Sequence, residues 1–123
     1  MPAPLILLPP SEGKADGGDG PGWVDADQSF PDLADQRREV IRALVEAMGL
    51  PAEARSKLLG VGAARAEEAT VANMVVDSAP TRPAIERYTG VLYDALDYPS
   101  LPPKVRRGVD RQVVIFSGLW GAV

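Results

Sequence analysis

Apolar residues form two uninterrupted runs near the ends of the chain and recur at helical spacing between them. Residues 5–8 (LILL) and 112–116 (QVVIF) are bounded by turn-forming residues, which is typical of short strands covered on both faces. The spacing between these runs predicts helices over residues 30–49, 51–59 and 63–77. Strands at both ends with helices between them favour a mixed α/β (α+β) fold, a single domain with a mixed sheet over residues 1–123.

The first helix begins with favourable chemistry. Ser29 followed three residues later by Asp32 resembles a capping box, in which the two side chains satisfy free main-chain groups. Pro31 suits the first turn of a helix, since its missing N–H has no partner there. A further short helix is expected after Ser100, because two prolines at 102 and 103 precede a basic, helix-compatible stretch.

Two segments fit no regular element. Residues 84–96 have a helical period that Gly90 interrupts, and residues 11–29 are rich in Gly and Asp without any period. A loop of that length is uncommon unless it is functional or disordered. Two strands are too few for a stable sheet, and the sequence stops directly after its most apolar strand. We therefore expect further strands, in a chain that looks truncated from a larger domain.

The amino-acid composition excludes several classes of catalytic and metal site. The 123 residues include no Cys and no His. This excludes a thiol nucleophile, a thiolate zinc site and a Ser-His-Asp triad, and no Glu-x-x-His pattern accompanies the carboxylates. We expect no metal and no cofactor. A cysteine-free chain suits the reducing cytoplasm. The apolar run over residues 4–10 is too short to span a bilayer and has no basic flank, so no membrane partner is expected.

The turn between the second and third helices has the pattern of a helix-hairpin-helix. Gly60, Val61 and Gly62 are followed by the small residue Ala66, and Arg65 lies in the first turn of the next helix. Glycines let a backbone approach a phosphate closely, and the free N–H groups of a helix N-terminus favour an anion. The alternative is a plain helical hairpin whose glycines serve the backbone geometry.

A second candidate anion-binding site follows the first strand, in the segment PPSEGK. Ligands of α/β proteins often bind where strands end, and a Ser hydroxyl with a Lys ammonium can hold a phosphate or carboxylate. The spacing is not that of a P-loop, and a solvated loop is the alternative. If the two strands are neighbours, Ser117, which follows the second apolar run, lies at the same edge of the sheet as Ser11. The phenol groups of Tyr88 and Tyr93, from residues 84–96, are candidates for the same cleft. The candidate cleft residues are Ser11, Glu12, Lys14, Tyr88, Thr89, Tyr93 and Ser117.

One dense basic cluster lies near the C-terminal end, at Lys104, Arg106, Arg107 and Arg111. A solvated helix face is the ordinary interpretation of such a cluster. The net charge of −4 argues against strong non-specific binding to DNA. The charge is unevenly distributed, however, because residues 12–35 carry seven acids and one base, whereas residues 101–112 carry four bases and one acid. The cluster therefore stays a candidate DNA contact.

At three stretches the chain resembles the N-terminal half of the YaaA family of peroxide stress proteins, in its actinobacterial-type branch. These are LILLPPSEGK (residues 5–14), PAIERYTGVLYDAL (83–96) and VVIFSGLWGAV (113–123). Members are roughly twice this length, so the resemblance implies a truncated member lacking the second half. It also implies a single mixed α/β domain with a positively charged cleft and a helix-hairpin-helix-like element.

The resemblance implies a cytoplasmic protein that binds DNA and limits peroxide and iron damage. Ser11, Lys14, Tyr88, Thr89, Tyr93 and Ser117 would then line the cleft, and residues 60–62 would form the hairpin turn. An alternative is an enzyme that acts on a small phosphorylated or nucleotide-like substrate, with Lys14 and a Tyr as proton carriers. A third interpretation is a chain that becomes stable only by oligomerising through residues 113–123.

Overall fold

Strands from opposite ends of the chain pair side by side in the computed structural model, which describes residues 2–123. The sheet has the order β1-β2-β3, with β1 parallel and β3 antiparallel to β2. Ile6, Leu7 and Leu8 lie opposite Val113, Val114 and Ile115. The strands are β1 Ile6–Leu8, β2 Val113–Ser117 and β3 Gly121–Ala122, and the α-helices are α1 Ala34–Ala47, α2 Ala52–Leu59, α3 Ala63–Met74, α4 Ala84–Arg87, α5 Val91–Leu96 and α6 Pro103–Gln112. This confirms the α+β class and the mixed sheet.

One face of the sheet carries the core. Ile115 is 2% exposed and packs with Tyr88 and Tyr93, and Leu8 and Val113 lie against the same cluster. Side chains alternate along a strand, so Leu8, Val113 and Ile115 share this face, whereas Ile6 on the same face is 42% exposed. The core therefore joins both ends of the chain to the segment over residues 84–96.

The opposite face of β1 is open among residues 2–123. Leu5 is 64% and Leu7 57% exposed, and Phe116 on β2 is exposed beside them, although Val114 on that face is buried. The prediction that the first strand is covered on both faces is therefore wrong for this structure. β1 is an edge strand, and the core cluster packs only against the face that Leu8 and Ile115 share.

The first helix starts later than predicted. Residues Pro31–Leu33 form a 3-10 turn, and α1 runs over Ala34–Ala47 rather than 30–49. Phe30 adopts a left-handed conformation (φ 52°), which places Ser29 outside the helical turn, and no side chain caps either element. The predicted capping box of Ser29 and Asp32 is wrong, whereas Pro31 does occupy a first-turn position.

The other helices follow the sequence pattern closely. α2 and the start of α3 agree with the prediction, but α3 ends at Met74, three residues before the predicted 77, because Val75 leaves the helical conformation. The ambiguous segment over residues 84–96 forms two short helices, α4 and α5, separated at Gly90 with φ 111°. No helix within residues 2–123 is long and apolar enough to cross a membrane.

The Gly- and Asp-rich loop is held by the segment that precedes α5. Isolated bridges join Lys14 to Tyr88 and Gly20 to Thr81. The Thr89 N–H donates to the carbonyl of Gly13 at 2.9 Å. Later in the loop, residues Trp23–Asp25 form a 3-10 turn whose tryptophan is buried against Trp120, with ring centroids 5.3 Å apart. The loop is therefore ordered by distant parts of the chain rather than by its own sequence.

Candidate anion-binding sites

The parallel pairing of β1 and β2 brings their carboxyl ends to one edge of the sheet. Ser11 follows β1 there, and Ser117 ends β2. A wide cleft of about 2080 Å³ opens along this edge and along the neighbouring loop. All the candidate cleft residues line it, namely Ser11, Glu12, Lys14, Tyr88, Thr89, Tyr93 and Ser117.

Three of these residues hold the cleft together through main-chain contacts. The Ser11 hydroxyl donates to the carbonyl of Thr89, and the Tyr93 hydroxyl donates to the carbonyl of Pro9 at 2.6 Å. The backbone at Gly13 also packs tightly against Thr89, because an added Cβ would lie 2.5 Å from the Thr89 Oγ1. The protons of the Ser11 and Tyr93 hydroxyls are thus engaged, and neither is available to a ligand without breaking a structural contact.

The hydrogen bonds from Ser11 to Thr89 and from Tyr93 to Pro9 form a latch across the cleft. Next to this latch, Lys14 and Tyr88 have polar groups that remain available to a ligand. The Lys14 ammonium donates to the carbonyls of Ser11 (3.1 Å) and Glu12 (3.3 Å), which leaves one of its three protons for a ligand. It lies 5.6 Å from the centre of the Tyr88 ring. Within residues 2–123 the Tyr88 hydroxyl has no hydrogen-bond partner. A cation and a phenol therefore lie together at the end of β1.

Tyr88 and Tyr93 lie side by side in the cleft. Their ring centroids are 5.6 Å apart. Burial, and secondly the neighbouring Tyr88, raises the pKa of Tyr93 above its ordinary value. The raised pKa means that Tyr93 keeps the proton that it donates to Pro9 further into the alkaline range.

Ser117 presents its hydroxyl from a tight turn between β2 and β3. Its Oγ accepts hydrogen bonds from the N–H groups of Leu119 (3.2 Å) and Trp120 (3.1 Å). No acceptor within the described residues takes the Ser117 hydroxyl proton. Since the two amides occupy the acceptor side of Oγ, the proton is left for the cleft that Ser117 lines.

The sequence reasoning missed Arg37, which anchors this turn and also lines the cleft. Arg37 is 3% exposed and makes five hydrogen bonds, of which the shortest reach the carbonyls of Trp120 (2.8 Å), Ala122 (2.7 Å) and Ser29 (2.8 Å). Burial lowers the pKa of its guanidinium. A signal existed in the sequence, because Arg37 lies four residues before the buried Ile41, on the apolar face of α1.

Charge in the cleft is mixed rather than uniformly positive. Its lining includes four basic and seven acidic residues. Burial, followed by the neighbouring cation of Arg82, lowers the pKa of Arg87, although Asp16 opposes this. Arg82 and Asp16 thus act on Arg87 from within the same cleft with opposite signs. Within residues 2–123, no group of three or more acidic side chains is placed to hold a metal ion.

The turn between α2 and α3 is built from the backbone. Gly60 adopts a left-handed conformation (φ 67°), and Gly62 precedes α3 in an extended conformation without any side-chain cap. The N–H groups of Gly62, Ala63 and Ala64 have no acceptor in the described residues, as expected for the first turn of a helix. Arg65 is exposed beside them, and the buried Ala66 lets the hairpin close.

The basic cluster lies on α6, where Lys104, Arg107 and Arg111 are exposed and Arg106 is half-buried. The two salt bridges within residues 2–123 join Arg38 to Asp35 and Arg55 to Glu67, so none involves α6. Asp110 instead accepts a hydrogen bond from the Tyr98 hydroxyl at 2.8 Å, which raises the pKa of Tyr98. Neither the α6 cations nor residues 60–62 line the cleft. The candidate DNA contacts therefore lie outside the cleft.

Comparison with known proteins gives one consistent result. The sequence profile of the family described as peroxide stress protein YaaA matches residues 5–123. A UPF0246 protein of Streptomyces coelicolor is 44% identical over 119 residues, which make up 97% of this chain and 45% of the relative. UPF0246 proteins of Corynebacterium efficiens and Corynebacterium glutamicum are 43% and 39% identical over the same lengths. The chain spans about half the length of these relatives, and it belongs to the YaaA family of peroxide stress proteins.

Proposed function

We propose that this protein acts in the cytoplasm during peroxide stress while bound to DNA, and limits peroxide and iron damage there. The turn formed by Gly60, Val61 and Gly62 binds the phosphate backbone through the free N–H groups at the start of α3. Arg65 and the basic residues of α6 add charge contacts to other phosphates. Binding of this kind positions the protein without reading the base sequence.

The conformation and surroundings of Gly62 carry this proposal. Its φ of −67° is open to any residue, so the backbone does not require glycine there. A Cβ built on Gly62 would meet nothing within 4 Å, so packing inside the described chain does not require it either. Gly60 differs, because its left-handed φ accounts for the glycine. An external group that approaches the backbone closely explains a glycine at position 62.

The α6 surface supplies the long-range attraction. Lys104, Arg107 and Arg111 are exposed, and no salt bridge within residues 2–123 engages them. A net charge of −4 keeps the non-specific attraction weak, so binding depends on local contacts. Each phosphate contact releases counterions from DNA, and the affinity must therefore fall as the salt concentration rises.

The test compares two charge-adding variants by fluorescence anisotropy with a labelled DNA duplex at low salt. Gly62→Asp places a carboxylate where the phosphate approaches, and we expect it to weaken binding by about tenfold or more, the value of one charge-assisted hydrogen bond. Gly118→Asp is the control, because it adds the same charge at another glycine with open space around its Cβ. Equal loss in the two variants, or no binding by the unmodified chain, contradicts the proposal.

A second candidate function is supported by the free polar groups of the cleft. Lys14, Tyr88 and Ser117 present an ammonium and two hydroxyls at the strand edge, and none of these groups is fully engaged by residues 2–123. Such a set suits a small phosphorylated or nucleotide-like substrate, with Lys14 and Tyr88 as proton carriers. Tyr93 is a poorer carrier because its pKa is raised and its proton is engaged.

A thermal-shift screen of the protein against phosphorylated metabolites tests this second function. We expect at least one compound to raise the melting temperature, since a ligand that binds only the folded state stabilises it. Lys14→Ala should abolish the shift, whereas Lys57→Ala, on the separate helix α2, should retain it. A library without any stabilising compound argues against the enzyme hypothesis.

A further inference from the structure

Among the described residues, Arg37 is a buried cation without an anionic partner. It is 3% exposed, and no carboxylate of residues 2–123 lies within salt-bridge distance of it. Its five hydrogen bonds all reach neutral acceptors, four main-chain carbonyls and the side-chain amide of Gln28. Burying an unpaired ion costs several kcal/mol even after relaxation. The carbonyls satisfy the donors of Arg37 but leave its positive charge uncompensated.

The contacts of Arg37 reach across the turn that presents Ser117. The guanidinium binds the carbonyls of Trp120 and Ala122, on either side of Gly121. The N–H of the same Trp120 donates to the Ser117 Oγ at 3.1 Å. One peptide segment is therefore held on its carbonyl side by Arg37 and on its amide side by Ser117. Ser117 Oγ is thereby linked to Arg37 through the Trp120 peptide.

We infer that Arg37 is a positioning residue, which holds the Ser117 hydroxyl ready to donate to a small phosphate-type anion at the β2 end of the cleft. Its uncompensated charge favours an anion over a neutral ligand at that end. The inference rests on the small-anion function proposed above and extends it, because it names the ligand class and the residue that prepares the donor. Lys14 supplies the second contact from the end of β1.

Lysine cannot replace Arg37 in this role. An ammonium keeps the charge but has three donors on one atom, whereas the guanidinium presents five donors in a planar fork. Arg37→Lys cannot span the acceptors on Trp120, Ala122 and the loop before α1 at the same time. The turn would then lose its fixed position while the charge stays.

The test is a double-mutant cycle read by calorimetric titration with inorganic pyrophosphate. We expect Ser117→Ala and Arg37→Lys each to weaken binding by about tenfold, the value of one charge-assisted hydrogen bond. The double variant should lose no more than about tenfold, because Arg37 acts through Ser117 and residues that act as a unit are not additive. Losses that multiply to about a hundredfold overturn the inference.

Two controls separate positioning from general destabilisation. Ile41→Ala removes a buried side chain of the same helix that does not line the cleft, and it should lower the melting temperature while the affinity stays unchanged. Gly121→Ala strains the turn at a left-handed position (φ 70°) with Arg37 intact, and it should weaken pyrophosphate binding even where Arg37→Lys does not fold. Unchanged affinity in Gly121→Ala contradicts the inference, whereas no binding by the unmodified chain overturns the small-anion function itself.

Discussion

The two candidate anion sites are built in opposite ways. In the cleft, Ser11 binds Thr89 and Tyr93 binds Pro9, across separations of 78 and 84 residues. In the α2–α3 turn, the Val61 N–H reaches the carbonyl of Ser56 at 3.2 Å, and the Ser56 hydroxyl returns to Val61. The cleft offers side-chain donors held by the whole fold, whereas the turn offers main-chain donors held by its own hairpin.

The glycines of the two regions show the same difference. A Cβ on Gly18 would lie 2.1 Å from the Thr81 carbonyl oxygen, so the packing of the loop beside the cleft requires glycine. A Cβ on Gly62 would meet nothing within 4 Å. Gly62 shares this open space with Gly108 and Gly118, but it alone stands beside the free N–H groups at the start of α3, and the comparison therefore favours the turn as the DNA-binding element.

The largest effect expected from this comparison is on stability, at Gly18. Gly18→Ala should lower the free energy of unfolding by about 2–4 kcal/mol, because the methyl group overlaps main-chain atoms and the positive φ disfavours a side chain. Urea denaturation measures it. Gly118→Ala is the matched control, since its Cβ has open space and should change the stability little. A tolerated Gly18→Ala would break the contrast between the two regions.

A smaller effect on stability is expected at the two tyrosines of the cleft, and it should differ between them. Tyr93→Phe removes the donor to the Pro9 carbonyl, and we expect a loss of about 1–2 kcal/mol in the free energy of unfolding. Tyr88→Phe removes a hydroxyl without a partner in residues 2–123, so its stability should change by less than about 0.5 kcal/mol. Urea denaturation measures both variants. Equal losses in the free energy of unfolding would show that the Tyr93 hydroxyl is no more important to the fold than the Tyr88 hydroxyl.

Tyr93 also gives the stability an alkaline dependence. Its pKa is raised above the ordinary 10.0 in the folded chain, so the unfolded chain releases this proton first as the pH rises. The folded state then binds more protons, and the free energy of unfolding falls as the pH passes from the ordinary value through the raised one. Tyr98 contributes in the same direction because of its hydrogen bond to Asp110.

Urea midpoints measured from about pH 8 to pH 11 test this dependence. Tyr93→Phe should decline less steeply above pH 10 than the unmodified chain. A steeper decline in the variant has the wrong sign for the proposed cause.

The smallest expected change in stability is at Gly62. Gly62→Ser supplies a capping hydroxyl at the start of α3, so the free energy of unfolding should stay within about 0.5 kcal/mol of the unmodified chain or rise slightly. DNA binding should nevertheless weaken, because the side chain occupies the approach to the free amides. A variant that is more stable and binds DNA less well sharpens the comparison, whereas unchanged DNA affinity removes the reason to assign Gly62 to a ligand.

Local signals in the sequence predicted the local parts of the fold. α2, the start of α3 and the turn at Gly60 follow from spacing and from glycine chemistry within a few residues. The parallel pairing was predicted only as a condition for Ser11 and Ser117 to share an edge, and the structure brings both to that edge.

The predictions from the sequence are wrong where contacts between distant residues override local patterns. The signal for a cap at Ser29 was local, but the left-handed Phe30 and the bond from Arg37 to the Ser29 carbonyl give that segment another role. The burial of β1 was inferred from its apolar run, although a run does not tell how many faces its neighbours cover. Arg37 was missed because its partners lie up to 85 residues away, and only its position on an apolar face could have drawn attention.

The salt dependence of DNA binding tests the central claim most directly. The affinity of the unmodified chain for a labelled duplex is measured between about 50 and 200 mM salt, by anisotropy. If the α2–α3 turn, Arg65 and the α6 cations together bind at least two phosphates, the affinity should fall by about tenfold or more over this range, and the slope should be shallower in Gly62→Asp. Binding that does not change with salt, or no binding at the lowest concentration, would contradict the account.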